Sequence, residues 1–90
     1  MARADEADLQ QLLPLLRQLR AVTGLREDKP GIFYLKREAF LHFHRDGDQL
    51  VADLKRTLSS GFDRLPLQTP AHQRALVDEA RRRATRLDED

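Results

Sequence analysis

Apolar residues near the start of the chain recur at steps of three and four: Leu9, Leu12, Leu13, Leu16, Leu19 and Val22. That spacing places them in one stripe along a helix. Asp5 suits the N-cap, and Glu6 and Asp8 lie in the first turn, where negative charge favours the helix dipole. Pro14 interrupts the pattern. It either kinks the helix or stands as the first residue of a helix running to about Thr23, with the earlier residues in a separate short turn. Gly24 suits the position just past the helix end. Arg26 to Gly31 then reads as a charged loop closed by a Pro-Gly turn signal.

From Gly31 to Lys55 the period changes from helical to two, which predicts three consecutive antiparallel strands. With Arg37-Glu38 as the first hairpin loop, Tyr34 faces Leu41 and Ile32 faces Phe43. With Asp46-Gly47 as the second loop, Phe43 faces Leu50, Leu41 faces Ala52 and Ala39 faces Leu54. Both loops put Ile32, Tyr34, Leu41, Phe43, Leu50, Ala52 and Leu54 on one apolar face. The opposite, mixed face then holds Phe33, Leu35, Phe40, His42, His44, Val51 and Asp53.

Thr57 to Gly61 reads as a polar loop, and Phe62 to Leu67 as a short fourth strand confined by Pro66 to an edge. Thr69-Pro70 is an N-cap followed by a first helical residue, and Leu76, Val77, Ala80, Ala84 and Leu87 form the stripe of the last helix. Asp88-Glu89-Asp90 sets negative charge at its C-terminus, an unfavourable arrangement that predicts a frayed end. The expected fold is α+β: a helix, a three- or four-stranded antiparallel sheet and a second helix, packed as a two-layer sandwich in one domain spanning residues 1–90. A rival arrangement places one helix on each face of the sheet.

Composition narrows the function classes. A chain of 90 residues buries only about 60–65% of its unfolded surface, so an oligomer is a natural source of added stability. The absence of cysteine excludes disulfides, thiolate zinc sites and thiol catalysis. Sixteen basic and 15 acidic residues nearly cancel, which argues against a dedicated nucleic-acid binder. Met1 to Gln10 carries three acidic residues and no apolar core of a secretory signal, and no apolar run approaches the ~18 residues of a membrane span. The expectation is a cytoplasmic protein with no membrane partner, no specific nucleic-acid partner and no cofactor.

One constellation stands out for its chemistry. His42 and His44 are two apart on a strand and so share a face, and Asp53 lies on the neighbouring strand of that same face. Two imidazoles and a carboxylate suit a divalent transition metal. The register above sets Asp53 opposite Phe40, one diagonal step from His42. The plain alternative is a pair of half-exposed histidines in a sheet. Asp46-Gly47-Asp48 begins like a calcium loop but lacks its later ligands and reads as a hairpin turn. Arg81, Arg82 and Arg83 spread around a helix rather than forming one patch, and Asp78 and Glu79 can pair with them. His72 reads as an exposed polar residue. Ser59-Ser60-Gly61 is too short for a phosphate loop, and no nucleophile with a base and an orienting acid can be assembled.

The run Lys29-Pro30-Gly31-Ile32-Phe33-Tyr34-Leu35-Lys36, with Ala39-Phe40-Leu41-His42-Phe43-His44 and the later Ala52-Asp53 pair, resembles a group of short bacterial α+β proteins of unassigned activity. More remotely the layout is similar to the MmcQ/YjbR-like small α+β domains. The first resemblance covers roughly half the chain and implies the fold without an activity. DNA binding has been proposed for some YjbR-like domains, but the balanced charge here does not carry it over.

Two function classes follow. The leading one is a non-catalytic interaction or homodimerising module that uses Phe33, Leu35, Phe40 and Val51 on the mixed face. The alternative is a metal- or small-ligand-binding protein, with an enzyme as one form of it, that uses His42, His44 and Asp53.

Overall fold

In a computed structural model describing residues 2–57 and 61–89, the first apolar stripe forms two helices. Helix α1 covers Glu6–Gln11 and α2 covers Leu13–Arg20. Asp5 caps α1 as expected, and the cap is reciprocal. Asp8 N–H donates to the Asp5 carboxylate at 2.9 Å, while Asp5 N–H donates to the Asp8 carboxylate at 3.0 Å. Pro14 falls in the first turn of α2, where its missing N–H breaks no helical bond. The chain therefore restarts a helix rather than kinking one. Helix α2 ends at Arg20, three residues short of the expected Thr23, and Gly24, at φ +93°, belongs to the connection that follows.

The sheet is larger than the three or four strands expected. Its strands are β1 (Ala2–Arg3), β2 (Arg26–Lys29), β3 (Ile32–Leu35), β4 (Glu38–Asp46), β5 (Gln49–Lys55) and β6 (Phe62–Pro66). They are antiparallel in the order β2-β3-β4-β5-β6, and β1 pairs with the far end of β4 through Ala2–Arg45 and Arg3–His44. Strand β2 is the segment whose charges read as a loop. An edge strand needs only its backbone to pair, and charge on an edge discourages pairing with another chain. The Pro30-Gly31 turn closes it: Gly31 sits at φ +78°, and its N–H donates to the Glu27 carboxylate at 2.8 Å.

The register corrects the two-face assignment. The first hairpin loop is Lys36-Arg37, one residue earlier than expected, with Leu35 paired to Glu38. Both loop residues hold positive φ, +51° and +75°, as a two-residue loop matched to strand twist requires. The decisive feature lies beyond it. Tyr34 pairs with Ala39, but Phe33 pairs with Leu41, so Phe40 is an extra residue on β4. This β-bulge sets two residues against one and resets the alternation. As a result Phe33, Leu35 and Phe40 join Leu41 and Phe43 in the core, each exposed by 2% or less. The second hairpin loop is Gly47-Asp48, again displaced by one residue, with Asp46 paired to Gln49. That shift keeps the side chains from Leu41 to Asp46 and those of β5 on their expected faces, but it moves the cross-strand partners by two. Leu41 faces Leu54, Phe43 faces Ala52 and His42 faces Asp53.

Helix α3 (Pro70–Glu89) begins after Thr69, whose hydroxyl accepts the His72 N–H at 3.0 Å. Of the polar loop expected from Thr57 to Gly61, residues 58–60 lie outside the described residues, as does Asp90 of the acidic end. Leu12 at the junction of α1 and α2, Leu15, Leu16 and Leu19 from α2, and Leu76, Val77, Ala80 and Leu87 from α3 form one buried cluster with the inward residues of the sheet. Burying each core phenylalanine contributes about 1.5–3 kcal/mol. At the edge of this core the Asp8 carboxylate is buried and gripped by the Arg45 guanidinium, which ties α1 to β4. Among the described residues no helix is long and apolar enough to cross a membrane.

Candidate metal centre

The other face of the sheet is built mainly by β4, β5 and β6. Alternation along β4 turns His42 and His44 outward while Leu41 and Phe43 turn inward. On β5 the same rule turns Val51 and Asp53 outward, opposite His44 and His42 respectively. On β6, Arg64 stands opposite Asp53, and Phe62 stands opposite Lys55. The three sequence-predicted ligands thus meet at neighbouring positions on two adjacent strands. Asp53 lies directly across from His42, a closer placement than the diagonal one expected.

Their donor atoms converge. His42 Nδ1 lies 2.7 Å from His44 Nε2, His44 Nε2 lies 3.2 Å from Asp53 Oδ2, and His42 Nδ1 lies 3.9 Å from the same oxygen. All three can offer one ligand atom within 4.8 Å of the others. The imidazole rings meet edge-on with centroids 4.7 Å apart, and the Phe62 ring packs against His42 at 4.8 Å. These contacts leave the two histidine side chains only 16% exposed and that of Asp53 12% exposed.

Asp53 is also oriented from β6. Arg64 Nε donates to Oδ1 at 3.0 Å and Arg64 Nη2 donates to Oδ2 at 3.2 Å, a side-on fork that fixes the carboxylate plane. Sequence reading missed Arg64. Its signal was available in the alternation of β6, but only a known pairing of β5 with β6 brings it to Asp53. Burial holds the His42 pKa below the ordinary histidine value, and the neighbouring His44, Arg3 and Arg64 charges add to that, against an opposing pull from Asp53. His42 is therefore a neutral imidazole near pH 7, the form a metal requires.

A nitrogen–nitrogen distance of 2.7 Å admits one proton between the rings and no more. His44 Nδ1 is buried with no hydrogen-bond partner among the described residues. A buried N–H without an acceptor is costly, so of the two single-proton tautomers of His44 the one with its proton on Nε2, facing His42 and Asp53, is favoured.

The residues expected to form an interface do not stay together. Phe33, Leu35 and Phe40 are in the core at 0%, 1% and 0% exposure, and only Val51, 7% exposed, remains on the outer face. His72, in the first turn of α3, is half-buried near Leu65 and Pro66 rather than exposed. In comparisons with known proteins, no family model matches the chain, and no curated protein or solved structure matches it either.

Proposed function

We propose that the chain is a metal-binding protein whose site is His42 Nδ1, His44 Nε2 and Asp53 Oδ2. The observation that carries this reading is the convergence of two nitrogens and one oxygen, from two strands, on one small volume. Their separations of 2.7–3.9 Å are close to the spacing that ligands about 2.1 Å from a common ion adopt. Two imidazoles and one carboxylate select a first-row divalent ion such as Zn²⁺ or Co²⁺ over Mg²⁺ or Ca²⁺, which want oxygen donors. Three protein ligands leave at least one coordination position for a further group.

Two features set the strength of the site. The fork from Arg64 holds the carboxylate in place, as outer-shell partners of ligating carboxylates do. Ligation through His44 Nε2 moves that ring's proton to Nδ1, where no acceptor stands among the described residues. Missing such a partner typically weakens a site by about 10–100-fold. The expected affinity is accordingly moderate, micromolar rather than nanomolar.

The homodimerising module is the weaker reading, because three of the four side chains that motivated it are core residues. Calorimetric titration of the untagged chain with Zn²⁺ at neutral pH tests the metal reading. One ion per chain, lost in His42→Ala and in Asp53→Ala with the far-ultraviolet spectrum unchanged, supports it. No binding at millimolar Zn²⁺, or binding that these substitutions leave intact, rejects it.

A further inference from the structure

We infer that the ion in this site is held together with a small carboxylate-bearing ligand, one oxygen of which sits on the metal while the other is held by Arg64. The inference rests on the metal reading and adds the ligand class. It starts from charge. Asp53 is the one carboxylate within the donor set, and it already faces the Arg64 guanidinium. Arg3, paired with His44 across β1 and β4, adds a second positive charge whose field reaches His42. Lys55 stands over the Phe62 ring at 4.9 Å, and that ring packs against His42. Among the described residues, Asp46 is the further acidic group that pairs with this rim, its carboxylate 3.9 Å from Arg64 Nη1. Arg64, Arg3 and Lys55 outnumber the carboxylates of Asp53 and Asp46, so the site is cationic before any ion arrives. A divalent ion makes it strongly so, and the open coordination position is where an anion relieves the excess.

The donors for that anion are in place. Arginine presents five N–H groups, and the side-on fork on Asp53 uses Nε and one hydrogen of Nη2. Among the described residues the second hydrogen of Nη2 has no acceptor, and Nη1 faces only the exposed Asp46 carboxylate at 3.9 Å, beyond hydrogen-bond distance. Nη2 lies 3.2 Å from the carboxylate oxygen that joins the donor set, so the free edge of the guanidinium borders the metal position. The Arg64 side chain is 40% exposed, which leaves it reachable from solvent. A carboxylate, with two oxygens and a single negative charge, matches a metal on one side and a guanidinium edge on the other. Binding of metal and carboxylate is then coupled, and each tightens the other by the same factor.

Acetate is the probe, with perchlorate at equal ionic strength as the anion that does not bridge. Co²⁺ binding to the untagged chain is followed through the visible absorption of the bound ion. The expected result is tighter Co²⁺ binding in acetate by about fivefold or more, in the usual range of coupling between sites, together with a changed ligand-field band. Arg3→Gln should tighten Co²⁺ in perchlorate, because a repelling charge is gone, and should shrink the acetate effect. Arg64→Lys keeps the charge but loses the fork and should abolish the changed band. Co²⁺ binding that acetate does not alter overturns the inference and leaves the metal site standing. Failure of Co²⁺ to bind in either salt overturns the metal reading and this inference with it. Equal acetate binding to the metal-free chain, seen as shifts of the His42 and His44 ring resonances, overturns the coupling and marks a plain anion site.

Discussion

The two faces of this sheet are made by the same strands and do opposite things. The inner face carries Phe33, Leu41, Phe43, Ala52 and Leu54, all nearly inaccessible, under the helices. Across the same backbone, the outer face carries His42, His44, Asp53 and Arg64, which are packed against each other and against Phe62. Among the described residues two carboxylates are buried, one on each side of the sheet. Asp8, on the helix side, accepts a cap N–H and the Arg45 fork, and Arg45 is the first cause that holds its pKa below the ordinary range. Both of its oxygens accept hydrogen bonds from the cap N–H or the guanidinium, so it has a structural explanation. Asp53 accepts its own arginine fork and still has an oxygen turned to two imidazole nitrogens that crowd each other. The comparison teaches where to look for chemistry: a buried carboxylate with every contact accounted for holds the fold, and one with a lone pair left over facing ligands is a candidate site.

The largest expected effect breaks the inner face. Phe33→Asp places an unpaired charge where no solvent reaches, and the chain should fail to fold. A folded variant, visible by circular dichroism and a cooperative melt, would put Phe33 back on an open face and contradict the bulge. Phe40→Ala leaves a cavity and should cost about 3–5 kcal/mol in urea unfolding, against a total stability of about 5–15 kcal/mol. On the outer face His42→Ala should cost about 1 kcal/mol or less in the same measurement while removing the metal site. Similar losses for both substitutions would erase the distinction between the faces.

Metal should appear as added stability from the outer face alone. Zn²⁺ at a hundred times its dissociation constant raises the unfolding free energy by about 2.7 kcal/mol, which moves the melting point by roughly 10–20 °C in a domain this small. Asp53→Asn should abolish that rise. A Zn²⁺ effect of equal size in Asp53→Asn would move the site elsewhere.

The smallest effect is set by pH. His42 has a folded-state pKa below its unfolded value of about 6.5, so below that pH the unfolded chain takes up a proton that the folded chain resists. Its contribution to stability is complete above pH ~6.5 and is lost as pH falls toward the folded pKa. Unfolding of the metal-free chain at pH 7.5 and pH 5.5 should show this loss, and His42→Gln should reduce it. An unchanged pH slope in that variant would remove His42 from the buried outer cluster.

Much of the candidate site was legible before any tertiary information. Alternation alone puts His42, His44 and Asp53 on one face, because a strand has a period of two and the second hairpin moved by one loop residue without changing parity. The directness of the His42–Asp53 pairing was not legible, since Asp46-Gly47 and Gly47-Asp48 are equally good turn sequences and differ by two residues in register. Arg64 was hidden for a related reason, because a short edge strand carries too few alternations to fix its partner.

The sequence by itself determined the local elements: the Asp5 cap, the existence of the two hairpins, the Thr69-Pro70 helix start and the outward turn of the two histidines. These depend on contacts within a few residues, where chain geometry leaves few choices. Tertiary structure decided what the inner face contains. The apolar run Ala39-Phe40-Leu41 is compatible with strict alternation or with a bulge. Only the volume under the helices, filled by Phe33, Leu35 and Phe40 together, favours the bulge over leaving three large apolar side chains in water. The charged strand β2 was settled the same way, by an edge of β3 that needed a backbone partner rather than by any preference of Arg26, Glu27, Asp28 and Lys29 for extended structure.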